Sequence, residues 1–258
     1  MPAPFRFEVP AGSPLFAGHF PGHPILPGIA HLAFARQALS EAAGRDISDI
    51  ALQEIRSLKL RKPAGPGDAL DLLLEGPDGD GTARIELRRG PEIVSLGTVR
   101  VGSAEWMRGE AFLGEAPIAS ADFPPAAELV PHAPPARFVQ GVVELSPEGL
   151  VCLAEIPSLH PLARNGRVPS FLGLEAAAQA AAILEALGRK DQAPGPRLGY
   201  LVGLRDARFG VPHLPADRPM RVEVRLHGSV PPLAMYRVSL GEPGAEIVTG
   251  TISTYLLE

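Results

Sequence analysis

Cysteine occurs once in 258 residues, as Cys152, which excludes an internal disulfide framework and any cysteine-rich metal cluster. Positive charge is scarce too: the formal net charge is −5, without the basic footprint that nucleic-acid binding requires. No apolar run goes uninterrupted for long. The longest, "FLGLEAAAQAAAILEALG", carries Glu175, Gln179 and Glu185 and reads as a buried soluble helix, not a membrane span. The opening "MPAPFRFEVPAG" shows no basic segment followed by an apolar core, so no signal peptide and a cytoplasmic location are expected.

What is present is apolar content of 45%, enough for a real core, over a length that suits two domains. Glycine and proline, 28 and 29 residues, imply many turns and short elements. Good helix formers without proline predict a helix over 28–43, stopped by Gly44, and another over 170–187, with Ser170 as N-cap and Gly188 as stop. Strand-like runs follow each helix: "ALQEIRSLKLRKP", "ALDLLLEG", "TARIELRRG" and "EIVSLGTVRVG" after the first, "RLGYLVGLRDARFG", "MRVEVRLHG", "AMYRVSLGE" and "EIVTGTISTYLLE" after the second. Their alternation is that of antiparallel strands with one covered face.

The two helices align with each other. With "PGIAHLAFARQ" set over "PSFLGLEAAAQ", Pro27 meets Pro169, Leu32 meets Leu174, Ala35 meets Ala177 and Gln37 meets Gln179. The order of strands agrees as well, so the chain reads as a tandem duplication: a first domain over 1–102, a linker over 103–128 and a second domain over 129–258. The most distinctive stretch is "GHFPGHPILPG", in which Pro21, Pro24 and Pro27 would stiffen the loop holding His19 just before a helix. A histidine so held suggests acid–base chemistry, which usually needs a second proton carrier, yet the helix that follows offers no acidic residue in its first turns.

The motif "FAGHFPGHPILPG" resembles the signature of the 3-hydroxyacyl-[acyl carrier protein] dehydratases, and "IRSLKLRKPAGPGDALDL" resembles the strand, loop and strand that follow it there. "LVPHAPPARFV" and "HPLARNGRVPSFLGLEAAAQAAA" are similar to a second, more divergent member, close to the accessory dehydratase subunit of aryl polyene clusters, while the first half is similar to its partner. The resemblance implies an α+β tandem (double) hotdog: two long central helices, each wrapped by a curved antiparallel sheet and packed as a pseudo-dimer. In that family an acid six positions after the motif proline works with the histidine of the other subunit. Here the first half has His19 but Ala33 at the acid's place, and the second half has Glu175. The resemblance therefore pairs His19 with Glu175 and leaves His160 with Ala33 in a second, degenerate site. The same division resembles the dehydratase domains of polyketide synthases, where Gln179 follows the acid by four residues and is a candidate orienting group.

Dehydration of a 3-hydroxyacyl thioester to the trans-2-enoyl product needs a base at C2 and a proton for the hydroxyl at C3. A neutral imidazole suits the first task, and a carboxyl group raised by an apolar tunnel suits the second. The free N–H groups of Gly28 and Ile29 are candidates for binding the thioester oxygen. Lys59, Arg61 and Lys62, together with Arg164, Arg167, Arg205 and Arg208, read either as solvated faces or as a dock for an acidic acyl carrier protein and its phosphopantetheine arm. His31 reads as a helix-surface or interface residue, and His23 and His132 as solvated or structural. The histidines show no metal-ligand spacing, so no metal and no cofactor is expected. Ketosynthase partners or a homodimer complete the expected contacts, with no membrane or nucleic acid. Three readings stay open beside the dehydratase: a non-catalytic acyl-binding or scaffold protein, a hotdog thioesterase releasing free acid, and an enoyl-CoA hydratase running the reaction in reverse.

Overall fold

The computed structural model describes residues 3–103, 111, 113–189 and 197–257. Alternating side chains decide its strands: Leu70, Leu72 and Leu74, or Met220, Val222 and Val224, point one way into the core while their neighbours face out. The strands are β1 (Phe5–Glu8), β2 (Ile50–Leu60), β3 (Ala69–Glu75), β4 (Thr82–Arg89) and β5 (Glu92–Ser103), then β6 (Val139–Ser146), β7 (Gly149–Ala154), β8 (Arg167–Pro169), β9 (Gly199–Phe209), β10 (His213–Pro215), β11 (Met220–Val230), β12 (Leu233–Glu242) and β13 (Ala245–Leu256). Eleven of them form one antiparallel sheet in the order β1-β3-β4-β5-β2-β9-β13-β12-β11-β7-β6, and β8 pairs with β10 apart from it. The order is a near mirror about the β2–β9 contact. There Leu58 sits opposite Leu204 and Glu54 opposite Arg208, so the duplicated halves join edge to edge.

Two long helices lie against this sheet. Helix α1 (Ala30–Ala43) packs on β2 and β3, and helix α3 (Leu172–Gly188) packs on β7, β11, β12 and β13; the one-turn helix α2 (Ala126–Leu129) touches α3 and β6. Each half is thus a helix wrapped by its own part of the sheet, as a double hotdog requires. Gly44 ends α1 in the left-handed conformation (φ 60°), as its sequence position predicts. Ser170 does not cap α3, because its hydroxyl donates to Val211 O at 2.6 Å and Phe171 stands at the cap position; Gly188 is the last helical residue and not the stop. The strand β1 and the β6–β7 hairpin extend the sheet beyond the runs read after each helix. The predicted linker lies partly outside the described residues.

A second contact joins the halves at the loop before α1. Ala133 N–H donates to Gly18 O at 2.9 Å. A Cβ at Gly18 would lie 2.1 Å from Ala133 O, and the residue holds φ +75°, so only glycine fits this approach. The pairing places the histidine loop of the first half directly over the segment that opens the second.

Candidate active site

Proline supplies the local stiffness of the His19 loop, and one hydrogen bond fixes the ring. His19 Nδ1 lies 2.8 Å from the carbonyl of Ile25. A carbonyl only accepts, so Nδ1 carries the proton and Nε2 keeps its lone pair. The next residue, Phe20, holds φ 54° while buried, a strained geometry for a bulky side chain, and its ring packs 4.3 Å from that of His19.

Glu175 comes from the first turn of α3, in the other half of the chain, and is as buried as His19, each 6% exposed. Gln179, one turn on and fully buried, accepts from Phe138 N–H at 2.8 Å, donates to Ala136 O at 2.8 Å and reaches Glu175 Oε1 at 3.4 Å. It ties the helix face that carries Glu175 to the strand-opening segment of the second half. The third member of the cluster is His132. Its Nε2 stands 3.4 Å from Glu175 Oε1, and its ring centroid lies 5.2 Å from that of His19. One donor atom from each of His19, His132 and Glu175 lies within 4.8 Å of the other two.

Burial pushes the His19 imidazole down to about 4; His132 adds to the fall, and Glu175 and the Ile25 carbonyl oppose it. Burial by itself would raise the Glu175 carboxyl, but the His132 contact, the charges of His19 and His132 and the Gln179 amide together hold it at about 2. At neutral pH the site rests with His19 neutral and Glu175 ionised. This corrects the expectation of a raised carboxyl: the apolar surroundings act in the expected direction, and two facing imidazoles outweigh them.

All three side chains line a cavity of about 500 Å³. Its walls include Gly28, His31, Leu60, Arg61, Lys62 and Pro63, so two of the three expected cationic residues border it; Lys59 is exposed and is not among its lining residues. The walls also include Ala178, Ala181, Ala182 and Glu185 of α3, ~15 Å of helix beyond Glu175. Leu226 and Leu233, 53% and 47% exposed, line it as well. Gly28 lies just before α1, and neither its N–H nor that of Ile29 donates to a backbone acceptor among the described residues. A Cβ at Gly28 would come 2.6 Å from the end of Leu60, which shows how closely the wall approaches this backbone.

Four sequence readings change here. His132, expected to be solvated or structural, is buried beside His19 and Glu175: backbone pairing of Gly18 with Ala133 carries it into the site, and no periodicity in "LVPHAPPARFV" signals that. His31 is not on the surface: it is buried, bonds Ser95 Oγ through Nδ1 at 2.9 Å and is pushed by burial to about 4. His160 does not meet Ala33 across a second substrate-sized pocket. It borders a cavity of about 10 Å³ whose walls also include His19 and Glu175, little more than room for one water, and its Nδ1 accepts from Leu162 N–H at 3.2 Å. Finally, two imidazoles and a carboxylate do converge in space, a donor set of the kind that divalent ions use, although no ligand spacing appears in the sequence. His23 is exposed, as expected.

Residues 124–257 match the ApeP dehydratase family (ApeP-like), and residues 2–95 match the ApeI dehydratase family (ApeI-like). The 3-hydroxyacyl-[acyl-carrier-protein] dehydratase FabZ of Anaeromyxobacter sp. (strain K) is 38% identical over 104 residues, 38% of this chain and 67% of the relative. FabZ of Campylobacter curvus is 38% identical over 78 residues, 26% of this chain and 53% of the relative. The chain thus spans about half to two thirds of the length of these curated relatives. Among solved structures, the dehydratase domain of RzxB from Pseudomonas fluorescens superposes with a TM-score of 0.65 at 16% identity, covering 96% of this chain and 93% of that one. The dehydratase domain of PpsC from Mycobacterium tuberculosis, in complex with C12:1-CoA, gives 0.62 at 16% identity over 98% and 93%. These two likenesses concern the fold. With the family match extending over more than half its length, the chain belongs to the ApeP-like dehydratases, built on a double hotdog.

Proposed function

We propose that this protein removes water from 3-hydroxyacyl groups carried on acyl carrier protein, giving trans-2-enoyl thioesters during aryl polyene, polyketide or fatty-acid-type synthesis in the cytoplasm. The observation that carries the reading is the meeting of His19 and Glu175, from opposite halves, on the wall of one cavity. The phosphopantetheine arm enters past Arg61 and Lys62, where an acidic carrier would dock, with Lys59 on the adjoining strand face. The acyl chain follows the small residues of α3. The thioester oxygen lies against the N–H groups of Gly28 and Ile29, where negative charge develops as the C2 proton leaves. His19 Nε2 takes that proton, and Glu175, oriented by Gln179, passes a proton to the C3 hydroxyl so that it departs as water. On this reading the two domains, 1–102 and 129–258, act as one catalytic unit, the His160 cavity takes no substrate, and no cofactor takes part.

The ionised state of Glu175 favours a second reading, thioester hydrolysis, in which the carboxylate would activate water against the carbonyl. One assay separates the two. Incubation with a panel of 3-hydroxyacyl carrier proteins, followed by mass spectrometry, gives enoyl carrier protein for dehydration and free carrier thiol for hydrolysis. His19→Ala and Glu175→Ala are each expected to abolish the enoyl product, and His160→Ala to leave substantial turnover. Full activity in Glu175→Ala would overturn the pairing.

A further inference from the structure

We infer that His132 is a positioning residue that holds the proton which Glu175 delivers to the departing hydroxyl. The inference rests on the roles proposed above for His19 and Glu175. Three observations lead to it. His132 is only 9% exposed, yet neither ring nitrogen makes a hydrogen bond among the described residues, an arrangement rare for a buried polar side chain. Its Nε2 faces Glu175 Oε1 at 3.4 Å, a long contact. And the ring stands on the cavity wall beside His19, where an arriving substrate would meet it.

The chemistry needs such a group. Glu175 rests ionised, so it has no proton of its own to give. The other neighbours are committed: Gln179 has no ionisable proton, His19 uses Nδ1 on Ile25 O and Nε2 on the substrate, and His160 has Nδ1 engaged by Leu162 N–H. His132 remains, an imidazole at carboxylate distance that can hold a proton without holding any other bond. The step balances as follows. His19 Nε2 takes the C2 proton, the C2–H electron pair becomes the C2–C3 double bond, and the C3–O bond breaks. His132 passes its proton through Glu175 to the departing oxygen, and water leaves. His19 then holds the extra proton, which returns to His132 to reset the site, with Glu175 again ionised.

The test varies the leaving group. A 3-hydroxybutanoyl pantetheine thioester needs a proton to depart as water, whereas a 3-chlorobutanoyl thioester loses chloride without one; both yield the same enoyl product. His132→Gln retains a polar side chain of similar reach but cannot carry a proton. It is expected to lower kcat on the hydroxy substrate by ~10²-fold with little change in KM, and on the chloro substrate by less than ~3-fold. Glu175→Gln is expected to show the same selective loss, and His19→Ala to lose both activities. Equal losses on both substrates in His132→Gln, or none on either, would overturn the inference. If Glu175→Gln or His19→Ala keeps full activity on the hydroxy substrate, the underlying assignment fails instead. Should His132→Gln not fold, as read by circular dichroism, His132→Asn carries the same comparison.

Discussion

Acidification from pH 7 to pH 5 is expected to destabilise this protein through histidines that fold neutral, and His31 offers the clearest place to measure it. His31 is buried beneath β2 and β5 with Ser95 as its bonded partner, and burial pushes it from an ordinary 6.5 to about 4. Between those two values the unfolded chain binds a proton that the folded protein refuses. Stability is therefore fully present above pH 6.5 and declines as the pH falls towards 4. pH 5 lies 1.5 units below the ordinary value of 6.5, so the unfolded imidazole is protonated while the buried one is not, a cost of about 2 kcal/mol from this one residue. Glu175, held at about 2, is ionised in both states until the pH nears 4.5 and contributes nothing to the change in this window. His31→Gln keeps an amide to bond Ser95 and removes the titration. Urea unfolding of both proteins at pH 7 and pH 5 isolates the term: the difference between the two pH values should shrink by about 2 kcal/mol in the variant. An equal pH difference in His31→Gln and the parent would refute the reasoning.

The paired glutamines make a second test. Gln179→Ala strands the buried Phe138 N–H and Ala136 O, so unfolding free energy should drop by about 3 kcal/mol, while Gln37→Ala, whose exposed amide bonds Glu41, should change it by less than about 0.5 kcal/mol in the same urea titration. At Gly28, which lines the cavity, Gly28→Val displaces the flexible end of Leu60 and crowds the backbone proposed to hold the thioester oxygen, and kcat/KM for the hydroxyacyl substrate should fall by ~10²-fold with the melting temperature nearly unchanged.

How far the sequence discloses this molecule depends on whether the information is local. The duplication is legible because Pro27, Leu32, Ala35 and Gln37 repeat 142 positions later, and the same repeat exposes Ala33 against Glu175. Strand alternation in "RVEVRLHG" becomes β11 because a covered sheet face sorts side chains in twos. His132 was hidden for the opposite reason. Its place is set by a backbone bond between Gly18 and Ala133, residues 115 positions apart, and proline-rich segments carry no period to announce such a contact. Ser170 looked like a cap because serine commonly is one, but a nearer carbonyl at Val211 claimed its hydroxyl. The charge on Glu175 is not legible in the sequence, since burial can be read from an apolar helix, whereas two imidazoles arriving from elsewhere cannot.

The seam between β2 and β9 has a meaning for the ancestry and assembly of this polypeptide. Two free copies of the first module, associating along that edge, would set His19 against Ala33 and have no acid in either cleft. Two copies of the second would offer Glu175 only His160 in place of His19. On the roles proposed for His19 and Glu175, only the mixed pairing is productive. Covalent tethering then supplies that mixed pair at one-to-one stoichiometry.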